Sequence, residues 1–376
     1  MSKDHTAEAE IDVHSAGAFA AANSGRGFVS FYGKLFSDPK ILRRYLIKGG
    51  PGTGKSSFMR RVASRAQSEG FSVRFYYCSS DHTSLDAIVI EDTVALLDAT
   101  APHTLEPELA GAKDEIINLG EFWDSDRLFE KKAVIEALSK QKSESYAGAY
   151  RFLEGALALD RLAREISGTL LDFSKLQRAG ERALGKIARG EGYSCEVGIR
   201  RSIGMSGRVR LFNYEISAKT LYAVEDHMET AHVFLAQLAK GAMLNENAVR
   251  ISFDPLNTDC IDGILFCESG VAFTVISCDE AEKYADKLAG TVNMRRFVKT
   301  SALSEREKKK RSEYKSDIRI RDGLIASATD RLREAGRAHF ELERIYGDCM
   351  DFEAESRFCE SFSIALCEKL KTLIAR

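Results

Sequence analysis

The stretch Tyr45-Leu46-Ile47-Lys48-Gly49-Gly50-Pro51-Gly52-Thr53-Gly54-Lys55-Ser56-Ser57 constrains the fold more than any other part of the chain. An apolar, strand-forming segment runs into a glycine-rich loop, and the loop runs into a helical pattern carried by Phe58, Met59, Val62 and Ala66. Glycines 49, 50, 52 and 54 can take positive φ and carry no Cβ, so successive backbone N–H groups can turn inward on an anionic phosphate chain. The helix that starts at Lys55 points its positive dipole end at the same place. The pattern Gly49, four residues, Gly54, Lys55, Ser56 predicts a phosphate-binding loop. Gly50, Pro51, Gly52, Thr53, Gly54, Lys55, Ser56 and Ser57 are the expected cradle, with Lys55 at the β- and γ-phosphates and the Ser56 hydroxyl as a ligand of Mg²⁺. The expected ligand is a nucleoside triphosphate with Mg²⁺, the pattern leaving ATP and GTP open. The expected fold is α/β, a mostly parallel sheet flanked by helices.

The rest of the first half supports that layout. A strand is predicted over 41–48, a helix over 55–69 stopped by Gly70, and a second strand over 71–78. Thr93-Val94-Ala95-Leu96-Leu97-Asp98 then gives an apolar run ending in an acid, the form of a buried strand whose carboxyl end holds a carboxylate beside Mg²⁺. Asp98 is the candidate metal-side carboxylate with Ser56, the alternative being a strand-end acid capping the next turn. His103, just past it, is a catalytic candidate with Lys55 and Asp98, against an ordinary loop histidine. Asp81, Glu91 and His103 all remain open as general base, and Arg60 and Arg61 as charge-stabilising arginines. Arg26 is expected to face solvent. From 124 to 189 the pattern turns helical, with Leu159, Leu162, Ile166, Leu170 and Phe173 on one face, and predicts a helical hairpin packed beside the nucleotide domain.

Composition removes several classes. A net charge of −2 argues against a general nucleic-acid binder. No long apolar run and no apolar leader occur, so the expectation is a cytoplasmic protein without a membrane partner, one for which a protein partner or self-assembly stays open. The eight cysteines form no C-x-x-C pair and are expected reduced and mostly buried. The polar lead-in 1–14 is expected to be poorly ordered, and the charged run Glu305 to Glu313 to be a solvated helix face.

A weak internal repeat organises the chain. Val73/Val249, Arg74/Arg250, Asp86/Asp262 and Ile88/Ile264 match without gaps, with Ser24-Gly25-Arg26 against Ser206-Gly207-Arg208 upstream and Ile117-Asn118 against Val292-Asn293 downstream. Two domains are expected from it, 15–190 with the phosphate loop and a helical hairpin, and 200–376, degenerate and ending in long helices. Where the second loop should stand the chain reads Glu225-Asp226-His227-Met228-Glu229-Thr230, without glycine or lysine and with acids that repel phosphate. Asp86 keeps its partner Asp262 and so should serve the fold, whereas Asp98 falls on Thr274 or Val275 and so should serve the loop.

These residues resemble the P-loop NTPase superfamily. Gly50-Pro51-Gly52-Thr53-Gly54-Lys55-Ser56 is similar to the loops of AAA-like ATPases and some nucleotide kinases. Asp98-Ala99-Thr100-Ala101-Pro102-His103, Gly111-Ala112, Glu115-Ile116-Ile117-Asn118-Leu119-Gly120 and Trp123-Asp124 resemble an uncharacterised family of bacterial ATPase-like proteins built as tandem P-loop halves. The resemblance implies the fold and ATP binding. The chain departs from it in lacking the second phosphate loop, in having Ala99 where glycine is expected, and in lacking the acid after Asp98 that activates water in AAA-like ATPases. The expected function is therefore an ATPase or nucleotide-driven switch; the alternatives are a small-molecule or nucleotide kinase and a non-catalytic ATP-binding sensor or scaffold.

Overall fold

The structure is a computed structural model that describes residues 9–11, 17–299 and 304–375; the rest of the lead-in 1–14 lies outside the described residues. Two six-stranded mixed sheets, mostly parallel, are flanked by helices. The first holds β1 (Ala18–Phe19), β2 (Arg43–Lys48), β3 (Val73–Tyr77), β4 (Leu85–Ile90), β5 (Val94–Asp98) and β6 (Asp114–Asn118), in the order β1-β3-β4-β5-β2-β6. The second holds β7 (Ser194–Gly198), β8 (Thr220–Glu225), β9 (Ala248–Phe253), β10 (Ile261–Phe266), β11 (Val271–Val275) and β12 (Leu288–Asn293), in the order β7-β9-β10-β11-β8-β12. The two orders are the same, strand for strand.

The register agrees as well. Val73 pairs with Ile90 and Val249 with Phe266, and both hairpins slip at the same point, between Tyr76 and Tyr77 and between Ser252 and Phe253. Asn118 and Asn293 end equivalent edge strands, and each caps the turn that follows through its side-chain oxygen. One match moves: Gly27 and Gly207 both open the returning strand of a hairpin at φ 85° and 96°, so the turn at Ser24-Gly25-Arg26 lies two residues out of step with the alignment proposed from sequence. Both glycines are needed there because a side chain is strained at such φ.

The segment 85–90 is a strand that sequence reading left unassigned. β4 runs antiparallel to both β3 and β5 and is buried on both faces, so no polar alternation marks it. Apolar residues of β2, β4 and β5 (Tyr45, Ile47, Ile88, Leu96) pack under α1 (Lys55–Ser68), while Leu46, Ala87 and Leu97 pack on the other face with Phe19 and Tyr32.

The helices are exchanged between the halves. α2 (Lys132–Gly168) and α3 (Phe173–Leu184) follow the first sheet, α4 (Ala231–Leu244) is the second sheet's counterpart of α1, and α5 (Glu305–Gly347) and α6 (Phe352–Ile374) close the chain. α2 and α5 pack along each other antiparallel, with Arg331 at Gly148, Arg321 on Asp160 and Lys310 on Thr169. Beyond them α3 packs on α4, and α6 packs on α1. The hairpin after the first sheet therefore reaches the other half, and residues 15–190 and 200–376 are not separate packing units. The expected apolar face also changes: Leu162 and Phe173 are exposed. The buried seam is lined instead by Ala149, Leu153, Ala156 and Leu157 of α2 with Ile325, Ala328 and Leu332 of α5.

Of the eight cysteines, all unpaired, four are buried. Arg26 bonds Asp259, each about half exposed. The run from Glu305 is mostly exposed helix. No helix among the described residues is long and apolar enough to cross a membrane.

Candidate functional site

The loop 49–54 joins the carboxyl end of β2 to α1, and β2 lies between β5 and β6. Gly52 and Gly54 stand at φ 67° and 82°, and Gly54 is the residue before the helix. A Cβ on Gly52 would meet the Glu343 carbonyl oxygen at 2.1 Å, and one on Gly50 would meet the Tyr346 ring at 2.9 Å, so the end of α5 packs directly on the loop. Thr53 is buried and its hydroxyl donates to the Gly50 carbonyl at 2.9 Å.

Lys55 Nζ donates to the carbonyls of Gly50 (2.8 Å) and Gly49 (3.2 Å) and lies 3.8 Å from Asp98 Oδ2. Ser56 Oγ accepts the Leu85 N–H at 3.0 Å, and its second lone pair stays available. Ser57 is exposed in the first helical turn. No side chain caps this helix and its first turn has no acid, so the leading N–H groups have no side-chain acceptor.

Asp98 ends β5 beside Ile47 of β2, which brings it to Lys55 with no strand between. Its Oδ1 accepts from Thr100 N (2.9 Å) and Oγ1 (2.5 Å). Burial raises its pKa above the usual carboxylate value, opposed by Lys55 and Thr100. Among the described residues no group of three or more His, Cys, Asp or Glu can hold a metal. A cation at Ser56 and Asp98 would take its remaining ligands from phosphate and water, which suits Mg²⁺.

The other candidates each have a partner outside the loop. His103 is buried, stacked on Tyr32 at 4.4 Å, with Nε2 3.1 Å from Asp86 Oδ2. Burial lowers its pKa, but Asp86 and Asp98 outweigh that and the net shift is upward. Its nearest charged partner is thus Asp86 of β4. Asp262, the counterpart of Asp86, also faces basic side chains, 3.2 Å from Arg201 and 3.6 Å from Arg200. Glu91 sits in the β4–β5 turn at the opposite end of the sheet, where it accepts the Ser72 N–H. Asp81 accepts from Thr83 and Ser84 within its own turn. Arg60 donates to the Thr83 carbonyl and Arg61 pairs with Glu355 of α6.

Sequence reading missed two features. α2 crosses above the loop after β3: Tyr150 donates to Asn23 Oδ1 (3.0 Å), and Asn23 Nδ2 donates to Ser80 Oγ (3.1 Å). Two turns earlier on α2 stands Lys142, within the electrostatic reach of Lys55 and Glu343. On the β6 side an open cleft of about 330 Å³ is lined by Trp123, Leu128, Phe129, Ile135 and Tyr346, the last being the ring that touches Gly50. Nothing in the local sequence separates Lys142 from its neighbour Lys140.

In the second half the corresponding loop, 226–230, is closed from within. Asp226 Oδ1 accepts the N–H groups of His227 (2.8 Å), Thr230 (2.9 Å) and Ala231 (2.8 Å) at the start of α4. Glu229, at φ 55°, accepts from Arg321 at 2.9 Å and lies 3.5 Å from Arg164. Burial opposes its ionisation, but Arg321 and Arg164 prevail and hold its pKa at about 2. Family models, curated proteins and solved structures were all compared with the chain, and none of them matches it.

Proposed function

We propose that the chain binds one Mg·ATP at the loop 49–54 and uses it as a slowly hydrolysed switch, within a P-loop fold whose two halves descend from a duplication. The observation that carries this is the contrast between the loops. In the second half a carboxylate of the chain takes the N–H groups at the helix start, and in the first half glycines, Lys55 and Ser56 stand there with no such acid. Lys55 would neutralise the terminal phosphates, and Ser56 and Asp98 would hold Mg²⁺, which when bound would supply positive charge against the phosphates. Slow turnover follows from the surroundings of Asp98: Ala99 comes next, and each candidate base is tied to another group.

Asp98→Asn separates binding chemistry from stability. Burial disfavours the ionised carboxylate, so the isosteric amide is expected to raise the Tm of the ligand-free protein slightly. It is also expected to weaken Mg²⁺-dependent ATP binding about tenfold or more, as loss of a charged ligand does. A thermal-shift titration with and without Mg²⁺ reads both; an unchanged Mg²⁺ dependence would remove Asp98 from the site.

The metal end of the phosphate chain lies toward β5, so the nucleoside end is directed toward β6 and the cleft at Trp123. Trp123 is the sole tryptophan. Mg·ATP is expected to quench its emission by stacking or contact, and tripolyphosphate to stabilise the protein without quenching. Equal emission changes with both ligands would place the nucleoside elsewhere.

A further inference from the structure

Lys142 and Arg321 occupy equivalent places. The helices that carry them, α2 and α5, end with the same hydrogen bonds: Thr169 to Glu165 and Asp348 to Arg344, Leu170 to Ser167 and Cys349 to Tyr346, Leu171 to Gly168 and Met350 to Gly347. Each then passes to the next helix through an aspartate cap, Asp172 or Asp351. Both helices are unbroken, so the correspondence can be followed backward: Ile166 meets Ile345, Ala156 meets Ala335, Leu153 meets Leu332 and Ala149 meets Ala328, every one buried. Two turns further back Lys142 falls on Arg321.

Arg321 shows what a cation at this place does. It reaches across to the second half's loop and donates to Glu229 Oε1 at 2.9 Å, with Asp160 Oδ1 at 3.0 Å on its other side. The loop there supplies its own anion, and the helix supplies the cation that meets it. Over the first half's loop the same helix position is again a cation, but the glycines below it offer no acid. Among the described residues Lys142 has no ion pair or hydrogen bond. Its ammonium is partly buried, and its charged form is disfavoured first by that burial and then by Lys55, with Glu343 opposing. A partly buried cation set against a second cation is costly unless an anion comes between them.

We infer that Lys142 is a second phosphate-contacting cation, which reaches from the exchanged helix pair to the terminal phosphate of the nucleotide held at Lys55. This rests on the reading of loop 49–54 as a phosphate site and adds a consequence. α2 packs along α5, and α5 rests on the loop through Glu343 and Tyr346. A contact made only when the terminal phosphate is present therefore ties the nucleotide state to the helices that join the halves.

The test is the affinity of Lys142→Ala and Lys142→Arg for Mg·ATP and Mg·ADP, measured by titration calorimetry with the Tm of each free protein. Lys142→Ala is expected to weaken ATP about tenfold or more, to change ADP less than twofold, and to leave the free Tm equal or higher, because it removes a repelled charge. Lys142→Arg should retain most of the ATP preference. Equal losses for ATP and ADP, no loss for either, or a lowered free Tm without a change in the ATP:ADP ratio would overturn the inference while leaving the phosphate site standing. If the wild-type chain binds neither nucleotide, both readings fall.

Discussion

Lys55→Ala is expected to remove ATP-dependent stabilisation altogether. In the wild type, Mg·ATP at a hundred times its Kd adds about 2.7 kcal/mol to the folded state, enough to raise Tm by several degrees. Lys55 Nζ lies across the loop, bonded to two of its carbonyls and 3.8 Å from Asp98. With the ammonium gone the phosphates would face the buried Asp98 carboxylate without a neutralising charge. The free protein should lose some stability too, because two loop carbonyls lose their donor and Asp98 its nearest cation, so the ATP shift is read against the variant's own ligand-free Tm. A thermal scan with and without Mg·ATP therefore isolates the effect. A variant that keeps the full ATP shift would show that nucleotide binds elsewhere on the chain.

Arg321→Met is expected to destabilise the chain strongly, by about 3–5 kcal/mol. Arg321 is nearly buried and holds Asp160 and Glu229, which belong to an exchanged helix and to the second half's loop. Removing the guanidinium leaves Asp160 with Arg164 and Asn257 as partners and Glu229 with only the longer contact to Arg164. The pH dependence gives a second signature. Glu229 is held at about 2, below its ordinary value of 4.5, so it contributes stability above the ordinary value that is lost as pH falls toward 2. In Arg321→Met that acid-sensitive part should shrink, and the denaturation midpoint should depend less on pH between about 5 and 2. Urea unfolding at several pH values measures both quantities.

The sequence made the first half's site legible because its chemistry is local. Strand β2, the glycines, Lys55, Ser56 and α1 follow one another without interruption, and Asp98 announces itself by the apolar run before it. The lack of glycine and lysine at 225–230 was legible for the same reason, and the structure adds that Asp226 takes the N–H groups that acids there were expected only to keep from phosphate. Strand β4 was hidden because a segment buried on both faces shows neither alternation nor direction. The antiparallel course of β4 is also why Glu91, near Asp98 in sequence, lies at the far end of the sheet. His103 pairs with Asp86 on that same strand, a contact that the sequence order did not suggest.

The helix exchange was hidden for a different reason. Hydrophobic periodicity favours the large residues Leu162 and Phe173, whereas the seam between α2 and α5 mixes alanines and polar residues with Leu153, Leu157, Ile325 and Leu332, which weakens the periodic signal. Lys142 could be recognised only after the two helices were matched turn by turn, since an isolated lysine on a polar stretch of helix is ordinarily a solvated one. Asp160 with Arg321, and Arg61 with Glu355, are pairs between distant parts of the chain that no local pattern reveals.

The chain has two halves of like topology and, in the function proposed for it, one nucleotide site. Titration calorimetry of the full chain with Mg·ATP tests it most directly, alongside Lys55→Ala under the same conditions. One ATP per chain is expected for the wild type and none for the variant. Two ATP per chain, or one that survives Lys55→Ala, would contradict it, because either result would put nucleotide on the half whose loop is closed by Asp226.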